Sequence, residues 1–153
     1  MLPRSPERAT APAAAVAPTL ALKLTSDPAA LEPARLAVLD FVAGYGLSER
    51  SIFRLELVLE ETLMNLVAHA FPAGGAHEID LMLRLGPGTV TLCFEDDGLP
   101  FDPTGASPPA RPRSLAEAAP GGLGLSLTRQ ATSGWHYERA RGRNRLTLEI
   151  ARD

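Results

Sequence analysis

Residues 78–95 hold two strand-length apolar runs, EIDLMLRL and TVTLCFE, with only Gly86-Pro87-Gly88 between them. That link constrains the fold more than any other feature of the chain. Parallel strands need a crossover of about a dozen residues or more, so runs joined this tightly must be antiparallel neighbours. Trp135–Arg139 and Arg145–Ile150 close in the same way around Ala140-Arg141-Gly142-Arg143. Thr19–Thr25, TLALKLT, alternates apolar and polar residues and reads as a further strand.

The helices are read from a different period. Leu31–Tyr45 places Leu31, Ala34, Leu36, Val38, Leu39, Phe41 and Val42 at helical spacing before Gly44 and Gly46 stop it. Ser48 suits the N-cap of a second helix, which runs to about Phe71 and ends before Pro72 and Gly74-Gly75. Leu123–Thr132 reads as a short third helix behind a glycine cluster. Strands and helices come in groups, which favours an α+β two-layer sandwich, a mostly antiparallel sheet packed on helices. From Gly98 to Pro120 six prolines and little apolar periodicity mark a long loop. A loop of that length in a compact domain is usually a functional lid or disordered, and it is placed here at about residues 99–120.

The 153 residues suit one domain, residues 19–153, and 45% hydrophobic content is enough for a core. A formal charge of −3 argues against general binding of nucleic acid, which needs a basic field. Cys93 is the one cysteine, so no disulfide forms within the chain, and a reducing cytoplasm is the expected home. Residues 1–18 are Pro/Ala-rich. Glu7 and Pro3, Pro6, Pro12 and Pro18 favour a disordered tail over a targeting peptide. No run of about 18 uninterrupted apolar residues predicts a membrane span.

Three constellations carry chemistry. The first is EETLMNLVAHAF, residues 60–71, where Glu61 and Asn65 lie about 40° apart on one helix face. One reading pairs Glu61 with Arg54 or a surface cation. The other gives Asn65 to magnesium as a neutral oxygen ligand and Glu61 the role of general base. His69, His77 and His136 lack zinc-site spacing. The second is Asp96-Asp97-Gly98 at the end of TLCFE. It is either a turn opener or a carboxylate that accepts from the exocyclic amine of adenine while Gly98 lets the chain pass the base closely. The third is PGGLGLSL, residues 120–127, where Gly121, Gly122 and Gly124 open a helix. They form either a hinge or an anion site.

The order of these motifs resembles the GHKL ATPases, the Bergerat-fold superfamily of gyrase, chaperone, histidine-kinase and mismatch-repair ATPases, over about residues 19–150. Within it the chain most resembles the bacterial anti-sigma factor serine kinases. NLVAHAF, DDGLPFDP, GGLGLSL and GRNRLTLEI carry that likeness. The resemblance implies ATP and Mg2+ as cofactors, Glu61 as catalytic base and Asn65 as magnesium ligand. It implies that Asp96 reads adenine beside Gly98, and that Gly122, Leu123, Gly124 and Ser126 wrap the phosphates. It also implies two partners, a sigma factor and an anti-sigma antagonist phosphorylated on serine, and a homodimer. Pro100 stands where relatives carry a second glycine, and Asn144-Arg145 where many carry a threonine pair. Arg111 and Arg113 in the lid either neutralise the γ-phosphate or are solvated charges. Two other readings compete: an ATP-binding switch that sequesters a partner without phosphorylating it, and a histidine-kinase catalytic domain separated from its partner domain.

Overall fold

The computed structural model describes residues 16–103 and 122–153. Most of the tail expected over residues 1–18 and most of the expected lid, with Arg111, Arg113 and Gly121, lie outside the described residues. Five strands form one antiparallel sheet: β1 (Thr19–Thr25), β2 (Glu78–Leu85), β3 (Thr89–Asp96), β4 (Gly134–Ala140) and β5 (Arg143–Ala151). Their spatial order is β1-β2-β3-β5-β4. The helices are α1 (Leu31–Val42), α2 (Glu49–His69) and α3 (Gly122–Ala131). This is the α+β two-layer arrangement that the tight hairpins predict.

The sheet's alternation decides which side is covered. Ile79, Leu81, Leu83 and Leu85 on β2 are buried, as are Val90, Leu92 and Phe94 on β3 and Leu148 and Ile150 on β5. These side chains share one face and pack with Val38, Leu55, Val58, Leu59 and Leu63 of α1 and α2 in a single core. The opposite face carries charges joined across strands. Asp80 binds both Lys23 and Arg143 at 2.9 Å, and Arg145 reaches Glu95 at 3.4 Å. Cys93 belongs to this outer parity. It is nonetheless 8% exposed, with Arg145 Nε 3.3 Å from its sulfur, so its burial comes from a covering side chain.

Local chemistry explains the element ends. Ser48 Oγ accepts from Ser51 N at 3.1 Å and caps α2, as its position predicts. The α-helix of α1 stops at Val42, short of the expected Tyr45, and continues as a tighter 3-10 turn over Ala43–Tyr45. Gly46 then takes φ +67, open to glycine at no steric cost. Likewise α2 ends at His69, not Phe71. The β4–β5 turn sets Arg141 and Gly142 at φ 54 and 74, the left-handed pair that matches strand twist in a two-residue hairpin loop. Pro18 O accepts from Leu85 N at 2.9 Å, so contact with β2 begins inside the segment expected to be tail.

Candidate active site

The inward parity of β3 does not stop at Phe94. The next residue of that parity is Asp96, whose exposure is only 2%. Its partner in the register is Asn144, which begins the inward parity of β5 and is 6% exposed. Burying two polar side chains requires that their hydrogen bonds be made. Asp96 Oδ1 accepts from Gly98 N at 2.8 Å and from Asn144 Nδ2 at 3.0 Å. Among the described residues no donor reaches Oδ2. The two readings of Asp96 are therefore compatible: the carboxylate opens a turn through one oxygen and keeps the other for a different partner.

Asp96 and Asn144 lie at the wall of a cavity of about 390 Å³, within the usual range for small-molecule sites. The sheet supplies Trp135, Tyr137, Leu146 and Leu148 to this cavity, α2 supplies Thr62, Asn65, Leu66 and His69, and Ala70 follows at the helix end. Leu125 and Thr128 enter from α3, and Leu99, Pro100, Phe101 and Pro103 form a rim after β3. Most of these groups are apolar, so the few polar ones set orientation. Leu99 and Phe101 are 54% and 62% exposed, which leaves the rim wet on one side and apolar on the other.

Gly98 is needed for a reason the sequence did not reveal. A Cβ there would lie 2.6 Å from Ala70 O and 2.8 Å from Asp96 Oδ1. Leu99 N donates to Ala70 O at 2.9 Å, so the chain leaving β3 runs hard against the end of α2. The close approach observed is to helix backbone. Further along, Arg129 Nη2 donates to Pro103 O at 2.9 Å while its guanidinium lies over Trp135, 5.4 Å from the ring centroid. The rim is thus held to α2 at one end and to α3 at the other.

The structure brings Asp96 and Asn65 to one cavity, on the sheet and helix sides respectively. Glu61 lies one turn before Asn65 and is half-buried, outside the cavity lining. The helix face they share is only partly covered, since Met64 is 47% exposed. The alternative partner Arg54 binds Asp153 at 3.2 Å, and among the described residues Glu61 has no ion pair. Glu56, on another side of α2, holds Arg35 of α1 at 2.7 Å. Gly122, Leu123 and Gly124 form the first turn of α3, with Leu125 at the cavity wall. Ser126 is half-buried and not part of that wall. His77 stands apart, stacked on Phe71 and 3.1 Å from Asp97.

Sequence reasoning missed Tyr137, Trp135 and Leu146 altogether, and treated Asn144 only as a departure. One signal would have found them. Counting in twos from Ile150 gives Leu148, Leu146 and Asn144, and the facing hairpin strand gives Trp135, Tyr137 and Arg139.

Fold and site define an α+β domain with a cavity of small-molecule size, and comparison gives the family. Residues 24–150 match the model of the histidine kinase-like ATPase domain. The chain is 44% identical over 101 residues to the serine/threonine-protein kinase BtrW of Bordetella bronchiseptica, covering 66% of this chain and 71% of BtrW. The structure of the RsbU and RsbW domains of Rv1364c from Mycobacterium tuberculosis is similar, with TM-score 0.57 and 17% identity over 89% of this chain. So is the blue-light activated histidine kinase of Erythrobacter litoralis EL346, with TM-score 0.52 and 18% identity over 80% of this chain. The matched regions span 33% and 40% of those two chains, and the likeness is one of fold. The chain belongs to the histidine kinase-like ATPase domain family.

Proposed function

We propose that this protein is a Mg-ATP-dependent serine kinase of the anti-sigma type, which binds a sigma factor and phosphorylates a serine of an antagonist protein in the cytoplasm. One observation carries the nucleotide reading. A nearly buried carboxylate has one oxygen bonded by Gly98 and Asn144 and the other, among the described residues, without a donor, at the wall of a cavity of about 390 Å³. A carboxylate accepts from an amine and cannot donate to a keto group, which selects adenine over guanine. The name of BtrW, a serine/threonine-protein kinase, supports the transfer step.

Each residue then has a task. Asp96 takes the exocyclic amine of adenine, with Gly98 holding the turn beside it. The amides of Gly122, Leu123 and Gly124 at the start of α3, with the Ser126 hydroxyl, bind phosphate oxygens. Asn65 offers an amide oxygen on the cavity wall, and among the described residues no three His, Cys, Asp or Glu side chains converge as a metal site. That donor set suits magnesium, which keeps most of its ligands as water and phosphate. The ion, when bound, neutralises charge on the phosphates. Glu61 receives the proton of the partner's serine as that oxygen bonds to the γ-phosphorus and the bond to ADP breaks. Incubation with labelled ATP, magnesium and the antagonist encoded beside the gene tests the proposal. Label on the antagonist is expected. Intact nucleotide binding without label rejects kinase activity.

The position of Glu61 outside the cavity lining favours a second reading, an ATP-binding switch that sequesters its partner without phosphorylating it. Glu61→Gln separates the two. A kinase loses transfer and keeps nucleotide, whereas a switch keeps its regulatory effect.

A further inference from the structure

We infer that Asn144 is a positioning residue which makes Asp96 a one-oxygen acceptor and thereby sets the preference of the cavity for 6-amino over 6-keto purines. The inference rests on the ATP-binding reading above. Asn144 Oδ1 accepts from Tyr137 OH at 2.5 Å and from Arg139 Nη1 at 2.8 Å. An arginine can only donate, so a flipped amide would set two donors against each other. Its orientation is therefore decided by chemistry, and Nδ2 must face the other way. There it donates to Asp96 Oδ1 at 3.0 Å, to Leu99 O at 3.0 Å and, more weakly, to Gly98 O at 3.3 Å. Arg139 Nη1 reaches Gly98 O at 3.0 Å as well.

This arrangement does two things at once. It fills Oδ1 of Asp96 with donors from the chain itself, leaving Oδ2 for a ligand. It also fixes the carbonyls of Gly98 and Leu99, so the rim and the carboxylate keep one relative position. Without Asn144, Asp96 retains only the Gly98 amide and its side chain can rotate. A rotating carboxylate discriminates poorly between an amine and a carbonyl at the same ring position. Asn144 touches neither reacting group; it acts through Asp96.

The test uses the full chain, calorimetric titration and two nucleotides that differ at the 6-position, ATP and inosine triphosphate. Wild type is expected to prefer ATP. Asn144→Ala should weaken ATP by about ten- to a hundredfold, the range of a hydrogen bond to a charged group, and weaken inosine triphosphate much less. Tyr137→Phe removes one of the two donors to Oδ1 while Arg139 stays. It should narrow the ratio by a smaller factor, and it carries the test if Asn144→Ala does not fold. Equal weakening of both nucleotides, or an unchanged ratio in Tyr137→Phe and Asn144→Ala alike, overturns the inference and leaves ATP binding standing. Failure of wild type to bind either nucleotide overturns the ATP reading and the inference with it.

Discussion

At the scale of single residues, Asp96 decides most. Asp96→Asn keeps an oxygen for the Gly98 and Asn144 donors and turns an amide NH2 toward the ligand, so it should weaken ATP by roughly 1–3 kcal/mol. Calorimetry checks this, and unchanged affinity removes Asp96 from the site. Gly98→Ala acts on folding as well as on the site. Its methyl would meet Ala70 O and Cβ at 2.6 and 2.7 Å, backbone and a short side chain that cannot swing aside. A loss of about 1–3 kcal/mol is expected in denaturant unfolding, the ordinary cost of overpacking. A variant as stable as wild type would show that the end of α2 yields. The place of Asp96 at a strand end before x-Gly was legible in the sequence, and its burial follows from the parity of β3. The reason for Gly98 was not, since Ala70 and Gly98 meet only after a helix, a turn and a hairpin have been placed.

At the scale of elements, the strands were the most readable part. β1 and β2 match their expected limits, and β3 gains one residue, Asp96, from its pairing with Asn144. The helix ends were less so, because a last turn is settled by what it packs against. Tyr45 and Phe71 have the apolar character of helix residues but fall in a 3-10 turn and in a turn after α2. The fate of acidic side chains on α2 was also hidden. The sequence offered Glu61 for an ion pair, yet of Glu56 and Glu61 it is Glu56 that meets an arginine from α1. The cap of α2 can be tested directly. Ser48→Ala removes the acceptor of Ser51 N and, from the usual worth of such caps, should cost about 1 kcal/mol in chemical unfolding. The cap sits at the far end of α2 from Asn65 and His69, so nucleotide affinity should stay within about twofold.

At the scale of the whole molecule, distant parts of the sequence are joined by a few long-range bonds. Arg152 donates to Tyr45 O at 2.6 Å and to Gly86 O at 2.9 Å, linking the segment after β5 to the end of the first helix and to the β2–β3 turn. Arg152→Ala leaves both carbonyls to solvent. It should lower stability by about 1–2 kcal/mol without altering the site, read as a shift in denaturant midpoint at constant slope. Nothing in the composition announces such a bond, because an arginine near a chain end is ordinarily a solvated charge. The order of the strands has a broader consequence. β5 follows every other element in sequence, yet it is threaded between β3 and β4. A nascent chain that has reached only β4 has two unpaired ladder edges and lacks Asn144, Leu146 and Leu148. The cavity wall is therefore complete only once the interior strand is inserted, and a ligand of that cavity can stabilise the assembled domain but cannot template its assembly.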